Sequence, residues 1–332
     1  MNFKQKLADK ISRTIPVRLN ILRESYSFCK QLVKYNGSVN TNKNIKKMQY
    51  TLLRENHVIE KGMSMKNPRK GFGQKKVKAL ILRLSEYTDK YYATDKEFLL
   101  HPISTIHQYI EYTKANNVEI REIEILYNLL LDKTNYKESE LFHSTGIKKA
   151  YKKEILKNCN TTFESLLKSR HSIRYFDSKS PSQSLIEKAL NLAQLTPSAC
   201  NRQAWHTHTF WNDKSIDLAK EQGGCKGFEN EIKCSILVTA DMNAFLSYEI
   251  HQAYIDGGLY AMNLINALHS LGLGTIPLSC GFYDYKLNNI KKKFDIPSNE
   301  SLIVLIGIGN LKDEFNVAES SRKPISLTNQ FH

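Results

Sequence analysis

The chain has 332 residues, enough for one large domain or two ordinary ones, and its 41% hydrophobic and 24% charged residues are the balance of a globular protein, which excludes a wholly disordered chain. No run of about 18 apolar residues occurs, so no membrane-spanning helix is expected. The formal net charge of +15 is confined to one half: residues 1–160 hold 31 Lys and Arg against 16 Asp and Glu, and the remainder holds 17 of each. Such asymmetry points to two regions with different tasks. Before Pro16 there is no continuous apolar stretch, so no secretory signal is read and a cytoplasmic location is expected. The six cysteines form no C-x-x-C and no zinc spacing; they read as reduced thiols, and no metal site is expected.

Residues 1–36 place Phe3, Leu7, Ile11, Ile15, Leu19, Leu22, Tyr26, Leu32 and Val33 at roughly helical spacing, broken at Pro16, with basic residues between them. This fits a helix packing on the rest of the protein or one lying on an anionic membrane surface. Helices are expected over Ile45–Glu60, Val77–Tyr92, Phe98–Asn116, with Pro102 in its first turn, and Ile120–Asp132. Between the first two lies Glu60-Lys61-Gly62…Asn67-Pro68-Arg69-Lys70-Gly71-Phe72-Gly73, read as an ordered connector or as a basic loop able to hold an anion. No strand-like alternation occurs before residue 160, so residues 1–158 read as a basic all-α region and 159–332 as a second domain.

The second half mixes elements. A capped helix start at Thr161-Thr162-Phe163-Glu164, a helix over Leu185–Leu195, strands at His206–Trp211, Cys234–Ala240 and Leu302–Ile308, and a long apolar helix over Tyr254–Leu271 together predict an α+β domain. Gly257 and Gly258 in that helix permit close packing, and Gly272-Leu273-Gly274 ends it.

Two stretches carry chemistry. In Ser169-Arg170-His171-Ser172-Ile173-Arg174, the side chains of Arg170, Ser172 and Arg174 fall on one side of an extended segment and could track an elongated anion. Pro197-Ser198-Ala199-Cys200-Asn201-Arg202-Gln203 offers amides able to match a polar heterocycle edge. Taken singly, the commoner readings are a salt-bridged surface segment and a helix-ending turn. His206, His208, His251 and His269 read as structural or exposed.

Taken together, Arg-His-Ser-x-Arg-x-Phe, Pro-Ser-x-x-Asn-x-Gln-x-Trp, Asp256-Gly257-Gly258…Gly272-Leu273-Gly274, Thr275-Ile276-Pro277-Leu278-Ser279 and Ser321-Arg322-Lys323-Pro324 resemble the FMN-dependent nitroreductase family over about 161–327. The resemblance implies a nitroreductase-like sheet flanked by helices, an FMN cofactor, and an NADH- or NADPH-dependent oxidoreductase acting on a small-molecule acceptor. It also implies a homodimer with the cofactor at the interface. Arg170, His171, Ser172, Arg322 and Lys323 would hold the phosphate and ribityl chain, and Arg174 would lie at the N1–C2 carbonyl edge. Pro197, Ser198, Asn201 and Gln203 would reach the flavin from the partner, and Pro277, Leu278 and Ser279 would form a loop over the ring. Arg174 and Ser279 are the expected catalytic residues; Lys226 and Asn230 are candidates for the pyrimidine edge. Gln203-Ala204-Trp205 departs from the family's Gln-Pro-Trp, and Gly307-Ile308-Gly309-Asn310 stands where a Gly-Tyr-Pro segment is common. The run from Glu60 to Gly73 is similar to longer members found among bacterial surface-polysaccharide genes. A competing reading is a non-catalytic flavin-fold protein docking on a membrane or other polyanion through its basic half. No nucleic-acid reader motif is present.

Overall fold

The computed structural model describes residues 17–35, 45–141, 146–246 and 248–332. In chain order its elements are α1 (Val17–Tyr35), α2 (Ile45–Met63), α3 (Gln74–Asp95), α4 (Glu97–Ala115), α5 (Arg121–Thr134), α6 (Glu138–Leu141), β1 (Ile147–Tyr151), α7 (Lys152–Asn158), α8 (Phe163–Ser169) and α9 (Gln183–Ala193). There follow β2 (Trp205–Trp211), α10 (Asn212–Gln222), β3 (Cys234–Asp241), α11 (Gln252–Ser270), β4 (Leu273–Ser279), α12 (Asp284–Lys293), β5 (Glu300–Asn310) and β6 (Glu314–Ala318). They form two compact units. One contains α1, Leu156–Arg170 and Phe176–Leu311; the other contains Asn40–Ile155, His171–Tyr175 and Lys312–His332. Unlike a single cut near residue 158, this division groups the short motif segment and the C-terminal residues with the helices.

The helical unit follows its apolar spacing. Met48, Leu52, Ile59 and Met63 of α2, Val77, Leu80, Ile81 and Leu84 of α3, and Leu99, Ile103, Ile106 and Ile110 of α4 close one core with Ile123, Tyr127 and Leu130 of α5. Pro102 sits in the second turn of α4, not the first, because that helix begins at Glu97 and Pro102 is buried. The absence of any strand before residue 160 does not hold either. Residues Ile147–Tyr151, a short and largely polar run, pair antiparallel with Glu314–Ala318, a partner more than 160 residues away that supplies the ladder which local alternation does not announce.

In the sheet unit the strand order is β2-β3-β5-β4, antiparallel throughout. β3 is buried along nearly its whole length because it is central, and α11 covers one face with Tyr260, Leu264 and Leu268. Each such side chain contributes about 2–3 kcal/mol on burial. Trp205 stacks on Tyr260 at 4.9 Å between ring centroids. Gly257 is the close approach in α11: a Cβ there would lie 2.7 Å from Ile303, whereas Gly258 faces open space. The segment 273–279, read as a helix stop and a loop, is strand β4 at the open edge of the sheet. Part of the expected N-terminal amphipathic stretch, residues 1–16, lies outside the described residues; α1 exposes Val17, Leu19, Leu22 and Tyr26. Among the described residues no helix is long and apolar enough to cross a membrane.

The connector after α2 is held by aromatic side chains. Tyr109 Oη donates to Phe72 O at 2.5 Å, Tyr112 Oη donates to Pro68 O at 3.1 Å, and the Phe72 ring meets Tyr109 edge-on at 5.4 Å. That ring leaves no room for a side chain at Gly62, where a Cβ would come within 2.1 Å of it. Gly62→Ala is therefore expected to lose about 1–3 kcal/mol in denaturant unfolding, the usual cost of overpacking. Stability equal to the parent would show that Phe72 moves aside freely.

Candidate functional site

The chain between α9 and β2 is bent by four anchors. Thr196, which is buried, donates to Ala193 O at 2.7 Å and accepts from Asn263 Nδ2 at 2.8 Å. The Ala199 N–H points at both oxygens of buried Asp256, 3.3 Å from each, and Gln252 donates to the same carboxylate at 2.8 Å. Arg202 forks onto Glu249 at 2.8 and 2.7 Å and also donates to Ala199 O and Ala244 O. The Gln203 N–H donates to Ser198 Oγ at 2.9 Å. Held this way, Cys200, Asn201 and Gln203 all take left-handed backbone angles, with φ of 51°, 53° and 50°. Non-glycine residues seldom do so, and such strain persists only where the surroundings impose it. The result is an outward display: Asn201 and Gln203 are exposed, and Gln203 Nε2 lies 3.1 Å from Asn201 Oδ1, while Arg202 is turned inward. Pro197 is exposed and Ser198 half-buried beside them.

Edge strand β4 presents backbone donors. Proline has no N–H to give a ladder, so Pro277 fits only where its nitrogen faces the open edge. Residues two apart share an edge, which turns the N–H and C=O of Ser279 the same way. Gln222 Nε2 does reach Ser279 O from outside the ladder, at 3.0 Å. Pro277 and Ser279 are exposed; Leu278 between them is buried.

The segment that follows α8 divides its side chains. Arg170, half-buried, ends α8 beside His269, whose pKa burial pulls down to about 4, with Arg170 adding to the shift. His269 is thus neutral at pH 7, and its Nε2 lies 2.8 Å from Ser169 Oγ. His171 and Ser172 are half-buried in the helical unit. Arg174 is 4% exposed there: its guanidinium donates to Ser64 Oγ at 3.3 Å, NH2 lies 3.5 Å from His57 Nε2, and buried Nε has no partner. Burial draws its pKa down to about 10, with Glu60 pushing back, so it stays charged at neutral pH. Glu60 is itself buried. Burial raises its pKa, but hydrogen bonds from His101 and His57 outweigh that and hold it below the ordinary carboxylate value. In the same unit Arg322 is exposed and donates to Ser320 O, and the Lys323 ammonium sits 4.6 Å above the Tyr50 ring.

Lys226 and Asn230 are both exposed on the turn between α10 and β3. Of the four histidines, His206 and His208 bracket the Glu300 carboxylate at 2.9 and 2.7 Å, His251 stacks edge-on with Phe28, and His269 is buried. Sequence reading passed over the Arg202–Glu249 fork, the Asp256 acceptor and the Glu60 cluster. The local signals among them are His57 three residues before Glu60 and Gln252 four before Asp256, each pair on one helix face.

Residues 167–310 match the model of the nitroreductase family. They form a nitroreductase-family domain. Curated relatives of this domain are named as NAD(P)H nitroreductases. A protein of Methanothermobacter thermautotrophicus named as an NADH dehydrogenase/NAD(P)H nitroreductase is 25% identical over 144 residues, 43% of this chain and 74% of its own. Bacillus subtilis YodC, named as an NAD(P)H nitroreductase, is 26% identical over 48% of this chain and 94% of its own. Among solved structures, an FMN-dependent nitroreductase of Clostridium difficile matches with a TM-score of 0.40 at 22% identity, over 44% of this chain and 86% of its own. A nitroreductase family protein of Streptococcus pneumoniae matches at 0.44 and 22% identity, over 52% of this chain and all of its own.

The fork that shapes the nitroreductase domain's amide loop titrates in acid. Arg202 holds Glu249 down to about 2, against 4.5 for a free glutamate. A depressed carboxylate stabilises the fold above 4.5, and that contribution is lost as pH falls through this window toward 2. Glu249→Gln is expected to melt below the parent at pH 7, with the gap in Tm closing between pH 4.5 and 2. An equal gap at all pH values would assign the loss to packing instead.

Proposed function

We propose that the chain is an FMN-dependent oxidoreductase that takes electrons from NADH or NADPH and passes them to a small-molecule acceptor, working as a homodimer. The observation that supports it most is the nitroreductase match over 167–310, together with the edge position of the strand that carries Pro277–Ser279. The residues present fit the cofactor. Arg174 is a buried cation with an unpaired Nε, suited to an acceptor that gains negative charge on reduction. Ser279 has an outward N–H with no need of a sheet partner. When bound, FMN supplies a two-electron carrier.

The chain's own residues then have separate tasks. Arg170, His171, Ser172, Arg322 and Lys323 bind the anionic tail, with the arginines giving forked donors to phosphate oxygens. Arg174 stabilises charge on the reduced ring, and the Ser279 N–H orients the ring's hydride-exchanging edge. Pro277 and Leu278 exclude water on one side. Pro197, Ser198, Asn201 and Gln203 offer their display to the cofactor of a second copy. Tyr254, Ile255, Leu259 and Met262 of α11 are exposed, and they are the apolar surface that a second copy would cover. The resemblance of Glu60–Gly73 to members found among surface-polysaccharide genes is the support for linking this oxidoreductase to surface polysaccharide biosynthesis, and it names no acceptor.

Reconstitution tests this reading. Purified protein incubated with FMN should retain a yellow flavin spectrum through gel filtration, and Arg170→Ala should weaken FMN binding about ten- to hundredfold, the worth of a lost charged hydrogen bond. Arg174→Ala should lower the flavin's reduction potential. Protein that refuses FMN, or an unchanged potential in R174A, contradicts the respective assignment.

A further inference from the structure

Helix α2 carries a polar stripe inside an apolar bundle. Asn56, His57 and Glu60 lie in its last two turns, and Ser64, in the turn just past its end, follows Glu60 by four with its N–H on Glu60 O at 2.9 Å. Asn56, Glu60 and Ser64 are each no more than 2% exposed, whereas the His57 side chain is half exposed. Such a stripe costs stability unless its groups are paired. The pairing runs through imidazoles. Glu60 Oε1 lies 3.1 Å from His101 Nε2, and Oε2 lies 3.6 Å from His57 Nδ1. The far nitrogen of His101, Nδ1, is 3.2 Å from Ser321 Oγ.

Donor arithmetic fixes the protons. A guanidinium only donates, so His57 Nε2, facing Arg174 NH2, must accept, and its ring proton sits on Nδ1 toward Glu60. His101 Nε2 is shared: it lies 3.1 Å from Glu60 Oε1 and 3.1 Å from Asn56 Nδ2, an amide nitrogen that only donates, while Nδ1 faces Ser321 Oγ. Glu60, held below the ordinary carboxylate value, carries the negative charge, and His57 stands between it and Arg174. Ser64 closes the arrangement by accepting from Arg174 NH1 and donating to Lys61 O at 3.0 Å. Buried Arg174 Nε and Asn56 Oδ1 have no hydrogen-bond partner, and Glu60 Oε1 has only the close approach of His101 Nε2.

We propose that Glu60 is a positioning residue for Arg174: acting through His57, it orients the guanidinium and offsets part of its charge, so that α2 sets how strongly Arg174 stabilises a reduced ring. The inference rests on the reading that Arg174 meets the FMN ring, and it gives the helical half a part in the chemistry. Removing Glu60's charge strengthens the effective cation. Removing the Ser64 hydroxyl frees the guanidinium to wander and weakens it. The two changes therefore act in opposite directions, which a general loosening of the fold does not.

The test is redox titration of FMN-loaded variants, read as the ratio of dissociation constants for oxidised and reduced FMN. Glu60→Gln should raise the preference for reduced FMN about tenfold, as expected for losing one nearby charge in a partly screened interior. Glu60→Asp should return it toward the parent value, and Ser64→Ala should lower it several-fold. In an Arg174→Ala background the Glu60→Gln shift should vanish. If E60Q does not fold, S64A decides by itself, since an unchanged ratio there overturns the proposal. An unchanged ratio in E60Q, or an equal shift with and without Arg174, also overturns it. Failure of the wild type to bind FMN, or an unaltered ratio in R174A, would instead remove the reading on which it rests.

Discussion

A guanidinium buried away from water is tolerated only where other groups replace its solvent, and Arg174 is held on those terms. Its acceptors are a serine hydroxyl and an imidazole, and the carboxylate that balances it stands one side chain further away. That arrangement explains why α2 carries His57 and Glu60, and the turn after it Ser64, in an otherwise apolar core. It also leaves donors unspent, the condition for recognising an acceptor whose charge changes. A fully paired arginine would serve the fold and nothing else.

In the sheet unit the corresponding constraint is backbone supply. Three non-glycine residues in left-handed conformations and a proline in a strand are each unfavourable locally. They are imposed by Asp256, the Arg202–Glu249 fork and the edge position of β4. Together they expose amides at Asn201 and Gln203 and an open edge at Ser279. Rigid helices and central strands hold these groups, so the site is a property of the scaffold and not of a mobile loop.

Much of this architecture could be read from residue spacing. Helices α2–α5 and strands β2, β3 and β5 follow apolar periodicity, since each buries a face against neighbours close in the core. Strand β4 was hidden because Gly272, Gly274 and Pro277 signal turns, and only the sheet explains why an edge tolerates them. Strands β1 and β6 are five residues each and owe their existence to one another. At the candidate site, the sequence offers Arg170, Asn201 and Gln203 as polar groups, and the fold leaves Asn201 and Gln203 exposed and Arg170 half-buried. Long-range pairing was not legible: Arg202 and Glu249 lie 47 positions apart, and nothing near Glu60 in the sequence announces His101. Positive φ at Cys200 likewise leaves no mark in a residue type that normally avoids it.

The central claim is electron transfer from a nicotinamide to bound FMN, and an anaerobic titration of the FMN-loaded protein with NADH or NADPH tests it most directly. The account predicts loss of the oxidised flavin's visible absorbance at one equivalent of reductant per flavin, with return of colour on admitting an electron acceptor. A flavin spectrum unchanged by excess of either nucleotide would contradict it.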